Sequence, residues 1–234
     1  MKKLEVAQRK FLRRMLGVKN GTANSFLHLE LGVLPIAYEI HKRQLSFLYH
    51  IVHLDEDDPV KKVWKNQQAL PDYPNWWNDI KKLIVTYSLD KMSEKEIQSM
   101  SKLSYKKKIK DAVHKKAFED LCQEVKLKSR TKDIVYNEFA TQDYIKKLYP
   151  NQSRIVFQCR SKASRIKEHA DYQHKDNFCR WCGVSDETLV HVVNCGVHGE
   201  RIENVEQTLV LCNDNLKLSL IADRVEDFIS RVEI

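Results

Sequence analysis

Glycine and proline are scarce in this chain of 234 residues, at 6 and 5. That scarcity argues against a turn-rich β architecture, which needs breakers at every reversal. No run of 18 apolar residues occurs, which excludes a membrane-spanning helix. The start, Met1-Lys2-Lys3-Leu4-Glu5, has a basic tip with no apolar stretch behind it, so no secretory leader is expected. A reducing, intracellular setting follows, in nucleus and cytoplasm, where cysteines act as thiols or metal ligands rather than disulfides. A phosphate-binding glycine loop, a nucleophile elbow, an HExxH motif and a paired-aspartate turn are also missing, so the chain is not expected to be an enzyme.

What is present points to helices. Hydrophobic residues make up 42% of the chain, enough for a packed core. Few breakers and many Lys, Glu and Leu make the expected fold class mainly α. The net charge of +8 is uneven: residues 1–54 carry +6, 55–100 carry −2, 101–178 carry +9 and 179–234 carry −5. Two basic blocks, a near-neutral spacer and an acidic tail suit a polyanionic partner. Solvated helix faces would give the same pattern.

Leu4, Ala7, Phe11, Leu12 and Met15 recur at helical spacing and predict a helix over 4–16, stopped by Gly17, with Arg9, Lys10, Arg13 and Arg14 as its basic face. Thr22 is expected to cap a short helix that Gly32 ends. Pro35 is expected at the first position of the next helix, which reaches about Leu54. The acidic loop Asp55–Asp58 leads to a short helix through Trp64. Residues 66–79, with Pro71, Pro74, Trp76 and Trp77, read as a loop pinned by aromatics. Those tryptophans either fill a core or stack on bases. A helix over about 75–88 follows, and Ser93-x-x-Glu96 is a capping box. Ile109, Val113, Ala117, Leu121 and Val125 repeat every four residues and predict a helix over about 104–126. Lys106, Lys107, Lys108, Lys110, Lys115 and Lys116 sit on its outer face. A polar linker, a weaker helix over 141–148 ended by Pro150, and a basic helix over about 153–168 come next. Val205, Leu209, Leu216, Leu220, Val225, Phe228 and Ile229 predict a terminal helical pair.

The most specific pattern is Cys179-x2-Cys182-x8-His191-x3-Cys195. A zinc ion takes four thiolate or imidazole ligands in a tetrahedron. Two cysteines in a tight turn, freed by Gly183, can grip it from one side. His191 and Cys195, four apart on a helix capped by Ser185 or Asp186, can grip it from the other. Such a site is closed, so one structural zinc is expected. Cys-x2-Cys alone would equally suit a redox motif, and His174 and His198 are competitors for the fourth position. Cys122, Cys159 and Cys212 lack metal spacing and read as buried thiols. His41, His50 and His53 share one predicted helix, where a second metal site competes with packing or surface roles.

Taken in order, the runs Phe11-Leu12-Arg13-Arg14-Met15-Leu16-Gly17, Leu29-Glu30-Leu31-Gly32-Val33-Leu34-Pro35-Ile36 and His41-Lys42-Arg43-Gln44-Leu45, the lysine-rich helix and the Cys/His knuckle resemble the C-terminal region of non-LTR (LINE-type) retrotransposon reverse transcriptases. The resemblance spans roughly residues 4 to 195. It implies a post-polymerase helical linker domain over 1–150 and a CCHC zinc knuckle over 179–199, beside the basic helix and linker over 151–178 and the acidic amphipathic helices over 200–234 that the residue pattern predicts. It also implies a grip on RNA template and target DNA, contact with a polymerase core, and Cys179, Cys182, His191 and Cys195 as knuckle ligands. The family's Tyr-x-Asp-Asp turn is absent, so polymerisation is not assigned to this chain.

The expected function is therefore nucleic-acid binding, RNA favoured and DNA also, with no membrane. The expected contacts are Arg9, Arg13, Arg14, Lys42, Arg43, Lys106, Lys107, Lys108, Arg154, Arg160, Lys162, Arg165, Lys167, Arg180 and Trp181. The alternative is a protein-interaction scaffold in which zinc only staples helices together.

Overall fold

The computed structural model describes residues 2–18, 21–70, 73–90, 92–170, 176–196 and 200–232. Among them are α1 (Lys2–Leu16), α2 (Asn24–Leu31), α3 (Ile36–Val52), α4 (Pro59–Ala69), α5 (Trp76–Thr86), α6 (Glu94–Ser99), α7 (Lys102–Lys126), α8 (Asp143–Lys147), α9 (Pro150–Arg160), α10 (Leu189–Asn194), α11 (Val205–Leu211) and α12 (Asn215–Val232). The fold is mainly α, and no strand longer than an isolated bridge occurs among the described residues. No helix among them is long and apolar enough to cross a membrane. Contacts divide the chain into two units: residues 1–5 with 34–120, and residues 6–33 with 121–234.

In the first unit, α3 packs against α4, α5 and α6. Leu45, Leu48, Ile51 and Val52 of α3 are buried, as are Trp64, Ile80, Leu83 and Ile97 of the helices it packs against. The four-residue repeat of α7 faces inward as expected: Tyr105, Ile109, Val113 and Ala117 are fully buried, and Tyr105 donates to the Leu45 carbonyl at 2.8 Å. Pro35 is the N-cap of α3 rather than its first residue. Helix α4 runs on to Ala69, five residues past Trp64, and Asp58 caps its start by accepting from Val60 N–H. Asn75 caps α5, and the Ser93–Glu96 capping box forms. Lys61 is buried despite its charge. It is 3% exposed, and its ammonium donates to the Val52 and Leu54 carbonyls, closing the C-terminal end of α3. The tryptophans are packed: Trp64 is buried, Trp77 meets it edge-on with ring centroids 5.8 Å apart, and Trp76 meets Phe47 likewise.

In the second unit, α12 lies against α8, α9, α10 and α11. It buries Leu218, Ile221, Ala222, Val225 and Phe228. Leu216 and Leu220, expected to be inward, are exposed, because the buried stripe runs through 218, 221, 225 and 228 instead. Pro150 starts α9 rather than ending α8, since a proline loses nothing at a first helical turn. That helix stops at Arg160, short of the expected 168, because Lys162 turns left-handed (φ 50°) and Ala163 N–H closes on the Gln158 carbonyl. Thr22 does not cap α2; Ala23 occupies that position and offers no side-chain bond. At the other end Gly32 is left-handed (φ 60°), and the 140–142 segment crosses so closely that a Cβ there would lie 2.4 Å from the Thr141 nitrogen. Helix α1 is turned from its expected orientation: Leu12 and Leu16 are buried, while Leu4, Phe11 and Met15 are 56%, 62% and 46% exposed.

Candidate metal centre

Residues 177–187 fold back on themselves. Cys179 N–H donates to the Ser185 carbonyl and Glu187 N–H to the Asn177 carbonyl, each at 2.7 Å, around an isolated bridge between Phe178 and Asp186. Within this hairpin, Gly183 N–H donates to the Cys179 carbonyl at 2.9 Å, and Gly183, directly after Cys182, is left-handed (φ 68°), a conformation glycine takes without steric cost. Thr188, not Ser185 or Asp186, caps α10 by accepting from His191 N–H at 3.1 Å. The sequence signal for it was present: Thr188 directly precedes the first apolar residue of the helix. Glu168 adds a second cap, accepting from Leu189 N–H at 2.6 Å.

The hairpin carries Cys179 and Cys182 and α10 carries His191, while Cys195, expected on that helix, is its extended C-cap residue (ψ 127°), and the four ligand atoms meet. Those of Cys179, Cys182, His191 and Cys195 all lie within 4.8 Å of one another, an arrangement that could hold a metal ion. The Cys179 and Cys195 Sγ atoms are 3.8 Å apart, and Cys182 Sγ lies 3.3 Å from His191 Nε2. Cys179 and Cys195 are buried and Cys182 is exposed. Backbone N–H groups of Ser185 and Val184 hold the Cys182 thiol down to about 6, while burial, then the neighbouring thiols, push Cys195 up to about 12. His174 and His198 lie outside the described residues. His41 hydrogen-bonds Tyr87 OH at 2.8 Å through Nδ1 and is used in packing, while His53, the exposed C-cap of α3, bonds the Tyr49 carbonyl at 2.9 Å through Nδ1.

Glu187 holds the hairpin to its surroundings, and sequence reasoning did not single it out. It is 2% exposed. Its carboxylate accepts from the backbone N–H groups of Lys167 and Arg180 at 2.9 and 3.0 Å and from the Arg180 guanidinium at 2.7 Å. Burial works against its charge, but these donors outweigh burial and keep its carboxyl below the usual range. Trp181 lies on α12, with the Arg231 guanidinium 4.5 Å from its ring centre and Phe228 at 6.2 Å.

The fifteen basic and aromatic positions expected at a nucleic acid are therefore divided. Arg160 has no surface to offer: its side chain is 1% exposed and paired with Glu30 at 2.8 Å. Lys167 is tied to Asp176 and the Phe178 carbonyl, Arg180 to Glu187, and Arg154 to the Met15 carbonyl at the end of α1. Arg13 is half-buried against Thr22 and Asn24, Trp181 is half-buried against α12, and Arg9 is half-buried. Lys42 and Arg43 both pair with Glu39. Arg14, Lys106, Lys107, Lys108, Lys162 and Arg165 are exposed.

No family model, curated protein or solved structure matches this chain.

Proposed function

We propose that this chain is a nucleic-acid-binding helical protein, RNA favoured, whose knuckle is stapled by one structural zinc ion. The observation that carries the zinc is the edge length of the cluster. Thiolates about 2.3 Å from a tetrahedral zinc stand about 3.8 Å apart, and Cys179 and Cys195 Sγ are separated by 3.8 Å. Three thiols with one imidazole leave no open position for water, so the ion's role is structural. Support for the polyanion comes from α7, where Lys106, Lys107 and Lys108 lie exposed opposite a dry apolar stripe. The ordered resemblance to the C-terminal region of LINE-type reverse transcriptases favours the same reading, with the polymerase and endonuclease chemistry residing elsewhere.

A second reading has its own observation. Leu4, Phe11 and Met15 form an exposed apolar stripe on α1, which suits a protein-interaction scaffold.

Fluorescence anisotropy with a short structured RNA and a matched DNA, over several salt concentrations, separates the two. The nucleic-acid reading expects tight binding whose log–log salt slope is about 0.7–0.9 per phosphate contact. Replacing Lys106, Lys107 and Lys108 by Gln should flatten that slope, and Cys182→Ser should weaken binding. Absence of binding at low salt overturns the reading and leaves the scaffold.

A further inference from the structure

A cleft of about 570 Å³ opens at the start of α2, with Arg13, Thr22, Asn24, Glu124, Lys128 and Arg130 among its lining residues. Helix α2 is eight residues long, and its N-cap Ala23 supplies no side-chain bond. The first N–H groups of a helix have no intrahelical partner, and they carry the positive end of its dipole. Nothing in the cap residue's side chain closes them here.

Two further groups on the cleft wall lack partners. Thr22 is 7% exposed, and its buried hydroxyl makes no hydrogen bond. Arg13 is oriented by donating from Nη2 to the Thr22 carbonyl at 3.2 Å and to Asn24 Oδ1 at 2.5 Å, while its buried Nε remains unpartnered. Burying hydrogen-bonding groups without partners is unfavourable, so such groups mark either strain or an occupant. Burial, and then Arg9, work against the Arg13 guanidinium charge, which an anion in the cleft would favour. Lys128 and Arg130 add two cations from the segment after α7, against one carboxylate, Glu124. Helix N–H groups, a hydroxyl and guanidinium donors converging on one concavity suit a tetrahedral oxyanion.

We propose that this cleft binds a phosphoryl group, seated at the N-terminus of α2 with the Thr22 hydroxyl and Arg13 Nε–H donating to its oxygens and Arg130 and Lys128 balancing its charge. The group can be free phosphate or a phosphodiester of a nucleic acid. The chemistry of the site is the same for both, and it does not depend on the nucleic-acid reading above.

The test is calorimetric titration of the full metal-loaded chain with inorganic phosphate at low ionic strength. Saturable 1:1 binding is expected, weakened at least tenfold by Thr22→Val and by Arg130→Gln, and unchanged by Lys217→Gln on the exposed surface of α12. Melting of each variant without phosphate identifies any that misfold. Arg130→Gln and Lys128→Gln alter surface groups and keep the test decisive if Thr22→Val fails to fold. Absence of saturable phosphate binding, or equal affinity in all folded variants, overturns the proposal. RNA anisotropy on the same variants separates the sources. A parallel loss identifies a backbone phosphate, and phosphate weakening with RNA affinity unchanged identifies a free anion; both uphold the site. RNA bound equally by all variants that show no phosphate binding overturns the site and leaves the nucleic-acid reading standing. Phosphate bound without RNA does the reverse.

Discussion

Glu30 and Arg160 form a fully buried ion pair, Oε1 to Nη2 2.8 Å, across 130 residues of chain. Tyr136 and Tyr144 donate to the same carboxylate, each at 2.5 Å, and the guanidinium also reaches the Leu209 and Val210 carbonyls and Cys212. Burial and the Glu30 charge push both tyrosines well above their ordinary value. A buried charge that loses its partner is strongly destabilising, whereas a pair exchanged whole for apolar groups is often neutral. Arg160→Met alone should cost roughly 3–5 kcal/mol in denaturant unfolding. The double variant Glu30→Leu/Arg160→Met should recover much of that. A single-variant cost under about 1 kcal/mol would mean that the pair carries little of the fold.

On the proposed metal-binding reading, loading the chain with Co2+ should give thiolate-to-metal charge-transfer bands and tetrahedral d–d absorption at one ion per chain. Cys182→Ser should diminish the charge transfer, while Cys122→Ser should leave the spectrum intact. Chelation should then lower the melting temperature, because an ion held only by the folded cluster stabilises the folded chain. Identical spectra from both serine variants would place the ion elsewhere.

Two glycines with similar left-handed backbone should respond differently to alanine. At Gly183 (φ 68°) a Cβ meets nothing within 4 Å, so Gly183→Ala should cost about 1 kcal/mol from the backbone alone. At Gly32 (φ 60°) the Cβ would lie 2.4 Å from the Thr141 nitrogen and 2.6 Å from the Ala140 carbonyl carbon. Neither is the end of a flexible side chain, so Gly32→Ala should cost several kcal/mol, roughly 3–5. Equal costs in thermal melts would refute the close approach.

His169 supplies a pH dependence. It is buried, with Nδ1 at 2.6 Å from Ser164 Oγ. Burial, followed by Lys162 and Arg130, pushes it down to about 4. Unfolded, it titrates near 6.5, so between those values the unfolded chain binds the extra proton. Stability should therefore be unaffected by this group above about pH 6.5 and fall as pH drops toward 4, by roughly 2–3 kcal/mol. His169→Gln should remove that component of the slope. Superimposable pH–stability curves for wild type and variant would sink this attribution.

Local regularities were legible in the chain itself. The four-residue repeat from Ile109 to Val125 specified α7 and its buried side, because a helix returns to the same face every turn whatever it packs against. The Cys179, Cys182, His191 and Cys195 spacing specified the cluster, because a turn and one helical turn are short enough for spacing to dictate geometry. Gly17 and Gly32 marked helix ends for the same local reason. The side of α1 that faces inward was another matter. Its Leu, Phe and Met residues offer two competing stripes; Leu12 and Leu16 are the buried ones, and Arg154 and Gln158 bind the Met15 and Gly17 carbonyls at its end. Arg160 likewise reads as one more surface cation in a basic stretch. Its burial follows from Glu30, which no local spacing connects to it. Membership of residues 6–33 in one unit with 121–234 is a long-range fact of the same kind. Periodicity and ligand spacing were set by the sequence alone, since they act within a turn or two of backbone. Which charges are buried, and which apolar faces are covered, was decided only by the tertiary structure, since desolvation depends on what distant segments bring to each side chain.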